Sequence, residues 1–68
     1  MKIQYQIEHL IDSDLLDCEI EFTEQQARET AKKMLDNQNT QGYCLISKLE
    51  KDNRGFYSTI EQDYITIK

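Results

Sequence analysis

Ile3, Tyr5 and Ile7 alternate with Gln4, Gln6 and Glu8, the two-residue period of a strand with one face buried. Asp12-Ser13-Asp14 follows, a cluster whose short side chains bond nearby backbone and favour a turn. Leu16, Cys18, Ile20 and Phe22 then alternate with Asp17, Glu19 and Glu21. Two alternating runs joined by a short polar turn predict a hairpin. The parity of the apolar residues predicts its register: Ile7 near Ile20 and Tyr5 near Phe22. Glu8 and Glu19 then share the outer face with Gln6 and Glu21, because a one-residue slip would bury the acids.

The period changes after Phe22. Thr23 with Gln26 is a capping-box pattern, in which the hydroxyl accepts from the third helical N–H and the amide reaches back. Ala27, Ala31, Met34 and Leu35 recur at i, i+4, i+7 and i+8, the apolar stripe of a helix over 24–37. Glu24 with Arg28 and Glu29 with Lys33 are favourable i, i+4 pairs. The helix is expected to stop in the polar run Asn37-Gln38-Asn39-Thr40-Gln41-Gly42. Tyr43 to Leu49 predicts a third strand. Glu50 to Gly55 predicts a turn, with Gly55 free to take a positive φ. Phe56 to Ile60 predicts a fourth strand, and Tyr64 to Ile67 a short fifth after Glu61-Gln62-Asp63. The expected fold is α+β: a single domain over 1–68, one helix packed on an antiparallel β-sheet, in the order β-β-α-β-β-β.

Composition agrees with a folded chain: 38% hydrophobic and 31% charged residues belong to globular rather than disordered sequences. No run approaches the roughly 20 apolar residues that span a bilayer. The alternating start has no continuous apolar core of a signal peptide, so a cytoplasmic setting is expected and no membrane partner. The net charge of −5 is uneven: residues 1–24 hold seven acids against Lys2. Direct nucleic-acid binding is disfavoured, because phosphate contacts need clustered Lys and Arg. A basic protein surface suits this chain better.

The candidate chemistry is sparse. His9 is the single histidine, and general-base or metal-ligand work needs partners at defined geometry; a partly exposed histidine at a strand end is the ordinary reading. Cys18 and Cys44 have no metal or redox spacing, and in a reducing compartment they serve as small buried hydrophobes. A nucleophilic Cys44 would need a base and an electropositive setting. No Gly-rich phosphate loop or G-x-S-x-G occurs. The expectation is no enzyme, no catalytic residue, no metal and no cofactor.

Two surface features remain. Glu8, Asp17, Glu19 and Glu21 are expected on one exposed face of the hairpin, where alternation alone accounts for polar residues but not for like charges set opposite each other, which are destabilising. Tyr43, Tyr57 and Tyr64 fall in the C-terminal strands; tyrosine is common both in strands and at interfaces. These seven residues are the candidate partner interface.

The opening Met1-Lys2 with Tyr5, the strand entering a helix through Ile20-Glu21, the Gln26-Ala27 and Ala31 spacing, and a closing three-strand meander resemble a family of small phage-borne anti-CRISPR proteins. The resemblance runs the whole length as architecture. It implies a compact, non-catalytic inhibitor that binds the guide-RNA complex of type I-F systems, in the host cytoplasm. The chain departs from that family in charge: the family's working surface depends on basic residues, and only Lys32, Lys33, Lys48 and Arg54 could stand in here. The start Thr23-Glu24-Gln25-Gln26-Ala27 also looks like the helix entry of small antitoxin domains. The function expected is a protein-binding inhibitor, phage or mobile-element encoded, that occupies a basic surface of a host defence complex such as a Cas complex. The alternative is a homodimeric module pairing through its sheet edge and tyrosines.

Overall fold

A two-residue turn starts the fold. Asp12 and Ser13 both adopt positive φ, 49° and 72°, the left-handed pair that matches the twist of a tight hairpin. They join β1 (Lys2–Ile11) to β2 (Asp14–Glu21), and α1 (Glu24–Asn37), β3 (Tyr43–Lys51) and β4 (Tyr57–Ile65) follow. The computed structural model describes residues 2–37 and 42–66. The strands form one antiparallel sheet in the order β2-β1-β3-β4, with α1 on one side.

The expected fourth and fifth strands are one. Glu61-Gln62-Asp63 continues the ladder against Lys48, Ser47 and Ile46, because its polar side chains lie at a sheet edge and neither Gly nor Pro interrupts it. Ile67, expected to close the fifth strand, lies outside the described residues, as does the run 38–41 where the helix was expected to stop.

The helix forms where its stripe predicts. Thr23 Oγ1 accepts from Gln26 N–H at 3.1 Å, and Thr23 O accepts the first helical bond, from Ala27 N, at 3.0 Å. Glu24 and Arg28 pair at 3.2 Å, while Glu29 lies 3.5 Å from Gln25 Nε2. Ala27, Ala31, Met34 and Leu35 are all buried, against Tyr5, Ile7, Cys44 and Ile46 of the central strands. Burying a side chain such as Leu35 contributes about 1.5–3 kcal/mol, and the two alanines let the helix lie close to the sheet.

Gly42 marks the return to β3. Its φ is +80°, and a Cβ there would run into the Leu10 carbonyl and the Ile11 side chain. At the β3–β4 turn, Asp52 Oδ1 accepts from the N–H groups of Arg54 and Phe56 at 2.8 and 3.0 Å. Gly55, at φ +89°, donates to Asp52 O.

The hairpin register differs from the expected one. Ile7 lies opposite Glu19, Tyr5 opposite Glu21 and His9 opposite Asp17, whereas Leu10 lies opposite Leu15. Leu16 is therefore an extra residue in β2, a bulge, and a bulge moves every later side chain to the other face. Without it the tight turn would have set Ile7 against Cys18 and placed Cys18 and Ile20 under the helix. With it, Asp17, Glu19 and Glu21 share the helix side, and Cys18 and Ile20 face away. A second bulge, Ile60, breaks β4 between Lys48↔Glu61 and Leu49↔Thr59. It brings Tyr57 to the side opposite the helix.

Candidate interaction surfaces

The sheet thus has two unlike sides. On the helix side the rows across the four strands are Asp17–His9–Cys44–Ile65, Glu19–Ile7–Ile46–Asp63 and Glu21–Tyr5–Lys48–Glu61. Ile7 and Ile46 fill the middle of one row, buried His9 with Cys44 and Tyr5 with Lys48 the middle of the other two, and acids of the edge strands flank the helix. Glu21 accepts from the Thr30 hydroxyl at 2.7 Å. Asp63 accepts from Arg28 Nη2 at 2.8 Å. That guanidinium is the main cause holding the Asp63 carboxyl below its usual range, with the Tyr64 N–H contributing.

The expected single acidic stripe is corrected by this register. Asp17, Glu19 and Glu21 are on the helix side, but Glu8, opposite Cys18 and Leu45, is on the other. Asp17 and Glu19 remain exposed, and Glu21 and Glu8 are half-buried. His9 is corrected as well: β1 runs on to Ile11, so His9 keeps step with Tyr5 and Ile7 and is fully buried.

Asp17, His9 and Cys44 stand side by side, the residue types of a cysteine nucleophile with its base. The setting runs against that chemistry. Cys44 is fully buried beneath α1, its thiol donating to Ala31 O at 3.6 Å and lying 4.0 Å from Met34 Sδ. Burial first, then the nearby Asp17 charge, pushes the thiol up to about 11. A thiol held protonated under a helix is a packing group rather than a nucleophile. Cys18, expected to be buried too, is exposed on the opposite side, 3.5 Å from Gln6 Nε2. Among the described residues no group of His, Cys, Asp and Glu is placed to hold a metal ion.

The side away from the helix is open. Leu15, Cys18 and Ile20 of β2, Glu8, Gln6 and Leu10 of β1, Tyr43, Leu45 and Leu49 of β3, and Tyr57, Thr59 and Tyr64 of β4 lie there. Leu15 is 55% exposed, Ile20 43%, Tyr57 44% and Tyr64 64%. The Tyr43 and Tyr64 rings meet at 5.6 Å between centroids. Lys51 Nζ lies 5.8 Å from the Tyr57 ring centre, and Gln62 donates to Ser47 Oγ at 3.1 Å. The three tyrosines named from sequence are therefore brought together on one surface. Leu15 and Ile20 were missed as part of it. The signal was the doublet Leu15-Leu16, which breaks the alternation where the bulge sits.

No protein-family model, curated protein or solved structure matches this chain.

The clefts of the molecule are shallow. One of about 400 Å³ lies between the helix start and β1, β3 and β4, lined by Tyr5, Glu24, Arg28, Lys48 and Asp63. Its Arg28 is already engaged by Glu24 and Asp63. No helix of the described residues is long and apolar enough to cross a membrane.

Proposed function

We propose that the chain works by binding rather than by catalysis, as an inhibitor that occupies a basic surface of a nucleic-acid-acting host complex with its helix side. The observation that carries this reading is how the charge is divided between the two sides. The helix side gathers Asp14, Asp17, Glu19 and Glu21 from β2, Glu24, Glu29 and Asp36 from α1, Glu50 from β3, and Glu61 and Asp63 from β4. Against them stand Arg28, Lys32, Lys33 and Lys48. The open side holds one acid, Glu8, and two bases, Lys2 and Lys51. The negative excess thus belongs to the helix side.

Two of those acids already serve the fold, Glu21 through Thr30 and Asp63 through Arg28. Asp17 and Glu19 do not: among the described residues neither forms an ion pair, and Asp17 bonds only the Cys18 N–H. Unneutralised carboxylates beside a helix create a field that speeds encounter with a positive surface. The resemblance to anti-CRISPR proteins supplies the class of target, the guide-RNA complex of a type I-F system. Such a complex carries basic grooves for nucleic acid, which an acidic protein can fill.

The test is binding to a purified type I-F surveillance complex, read by surface-immobilised kinetics together with the complex's uptake of target DNA. The parent chain should bind and block uptake. Asp17→Asn with Glu19→Gln should slow association and flatten its salt dependence. Glu8→Gln, on the other side of the sheet, should leave both unchanged. Parental rates and salt slope in the double variant would remove the helix side as the docking surface.

A further inference from the structure

The open side of the sheet has no role in that reading, and its chemistry differs. We propose that it is a homodimer interface, on which two copies of the chain pack face to face about a two-fold axis running across the strands.

The chain's size provides the first argument. A domain of 68 residues buries only about 60% of its unfolded surface, and such domains are commonly stapled by a disulfide, a metal or a partner. Here the buried apolar core among the described residues is eight side chains, all between α1 and the sheet. Cys18 and Cys44 lie on opposite sides of the sheet, so they cannot form the staple. Stacking a second sheet on the first builds another core.

Area provides the second argument. Four strands at about 4.8 Å spacing and about 30 Å long cover roughly 550 Å², hence about 1,100 Å² in a pair, enough for a specific interface. The surface is suited to it. Tyrosines and aliphatic residues dominate, and sheets stack about 10 Å apart through such faces.

Charge provides the third argument, and it selects a second copy over a basic partner. With Lys2 and Lys51 against Glu8, the open side is not acidic. Lys2 and Lys51 pair at one end of the sheet, and exposed Asp12 lies in the turn at the other. A two-fold axis across the strands brings the lysine end of each copy to the Asp12 end of the other, whereas an axis along the strands would gather four lysines. The same arrangement brings Tyr57, beside Lys51, towards the hollow of about 540 Å³ bounded by Asp12, Ser13, Gly42, Tyr43 and Tyr64. Shape and charge therefore complement each other in one orientation.

Sedimentation equilibrium of the full chain across the micromolar range tests the proposal. The expected mass is twice 8.1 kDa at the upper end, returning to 8.1 kDa on dilution. Ile20→Lys and Tyr64→Lys, both at exposed positions, should each give a monomer with an unchanged far-ultraviolet circular dichroism spectrum. In the parent, alkylation of Cys18 should slow as concentration rises; this readout needs no variant. Reversing Lys2 and Lys51 to Glu should weaken the dimer, and adding Asp12→Lys should restore it; failure of that rescue would overturn the axis. A mass of 8.1 kDa throughout would overturn the interface. So would a dimer that persists in both lysine variants with Cys18 equally reactive. None of these outcomes depends on the helix side, so binding of the Cas complex is scored separately.

Discussion

The two sides of the sheet are made from the same kind of alternating strand, yet one is sealed and the other bare. Ile7, Cys44 and Ile46 vanish beneath α1, whereas Ile20, Tyr57 and Tyr64 keep two-fifths or more of their surface. Hydrophobicity does not separate the two groups. Parity does: which side a residue faces is fixed by the Asp12-Ser13 turn and by the single extra residues Leu16 and Ile60. An apolar residue is therefore core or surface according to where the ladder skips, and an exposed apolar face can be made from core-like sequence without changing a side chain.

The comparison is broken most severely by a charge beneath the helix. Ala31→Glu should cost about 3 kcal/mol or more, from overpacking and a buried carboxylate, as measured by urea denaturation. Thr59→Glu, on the open side, should change the stability of the monomer by less than about 0.5 kcal/mol. Equal effects would mean that the two sides are not distinct.

Deleting Leu16 should sharpen it. The ladder would run unbroken from the turn with Asp17 still opposite His9, so Cys18 and Ile20 would stay on the open side and Glu21 would keep Thr30. Thiol labelling reads this directly: Cys18 should react as fast as in the parent. A Cys18 that falls to the slow rate of Cys44 would show that the strand slips rather than closing over the missing residue.

Alkali probes the sealed side alone. The folded Cys44 thiol titrates near 11, above its ordinary value of 9.0. Its protonated form is thus favoured by the fold, and the stability it contributes is complete below pH 9 and is lost as pH rises towards 11. Denaturation midpoints should decline over that window and decline less in Cys44→Ala. Thr23→Ala should cost about 1 kcal/mol by removing the helix cap. The smallest effect is expected at Asp63, an exposed carboxylate whose folded pKa is lowered by Arg28. Its contribution is present above the unfolded carboxyl range and is lost as pH falls through the folded value. Asp63→Asn should slightly flatten the acid limb of the stability profile.

The helix was legible in the sequence because its signal is redundant. Four stripe positions, a hydroxyl cap and an i, i+4 pair all indicate one element, and each is found in the fold. The turn at Asp12-Ser13, Gly55 and the strands on either side of the helix were legible for the same reason. The face of β2 was not, since alternation from Leu16 to Phe22 is equally regular in both registers and one bulged residue chooses between them. His9 was misread because the apolar pattern fades at Glu8 while the strand does not. Edge polarity hid the continuity of β4, where Glu61, Gln62 and Asp63 resemble a turn until Ser47 and Arg28 are seen to engage Gln62 and Asp63. The acidic candidates divided between two sides through the same bulge, and the tyrosines came together through the other.

The bulges bear on how the protein behaves in a crowded solution. β2 and β4 are the outermost strands, where bare N–H and C=O groups invite another chain to extend the sheet. Leu16 and Ile60 interrupt both rims, so neither offers the flat six- or seven-residue template from which a fibril grows. Lateral growth is thereby checked at both borders.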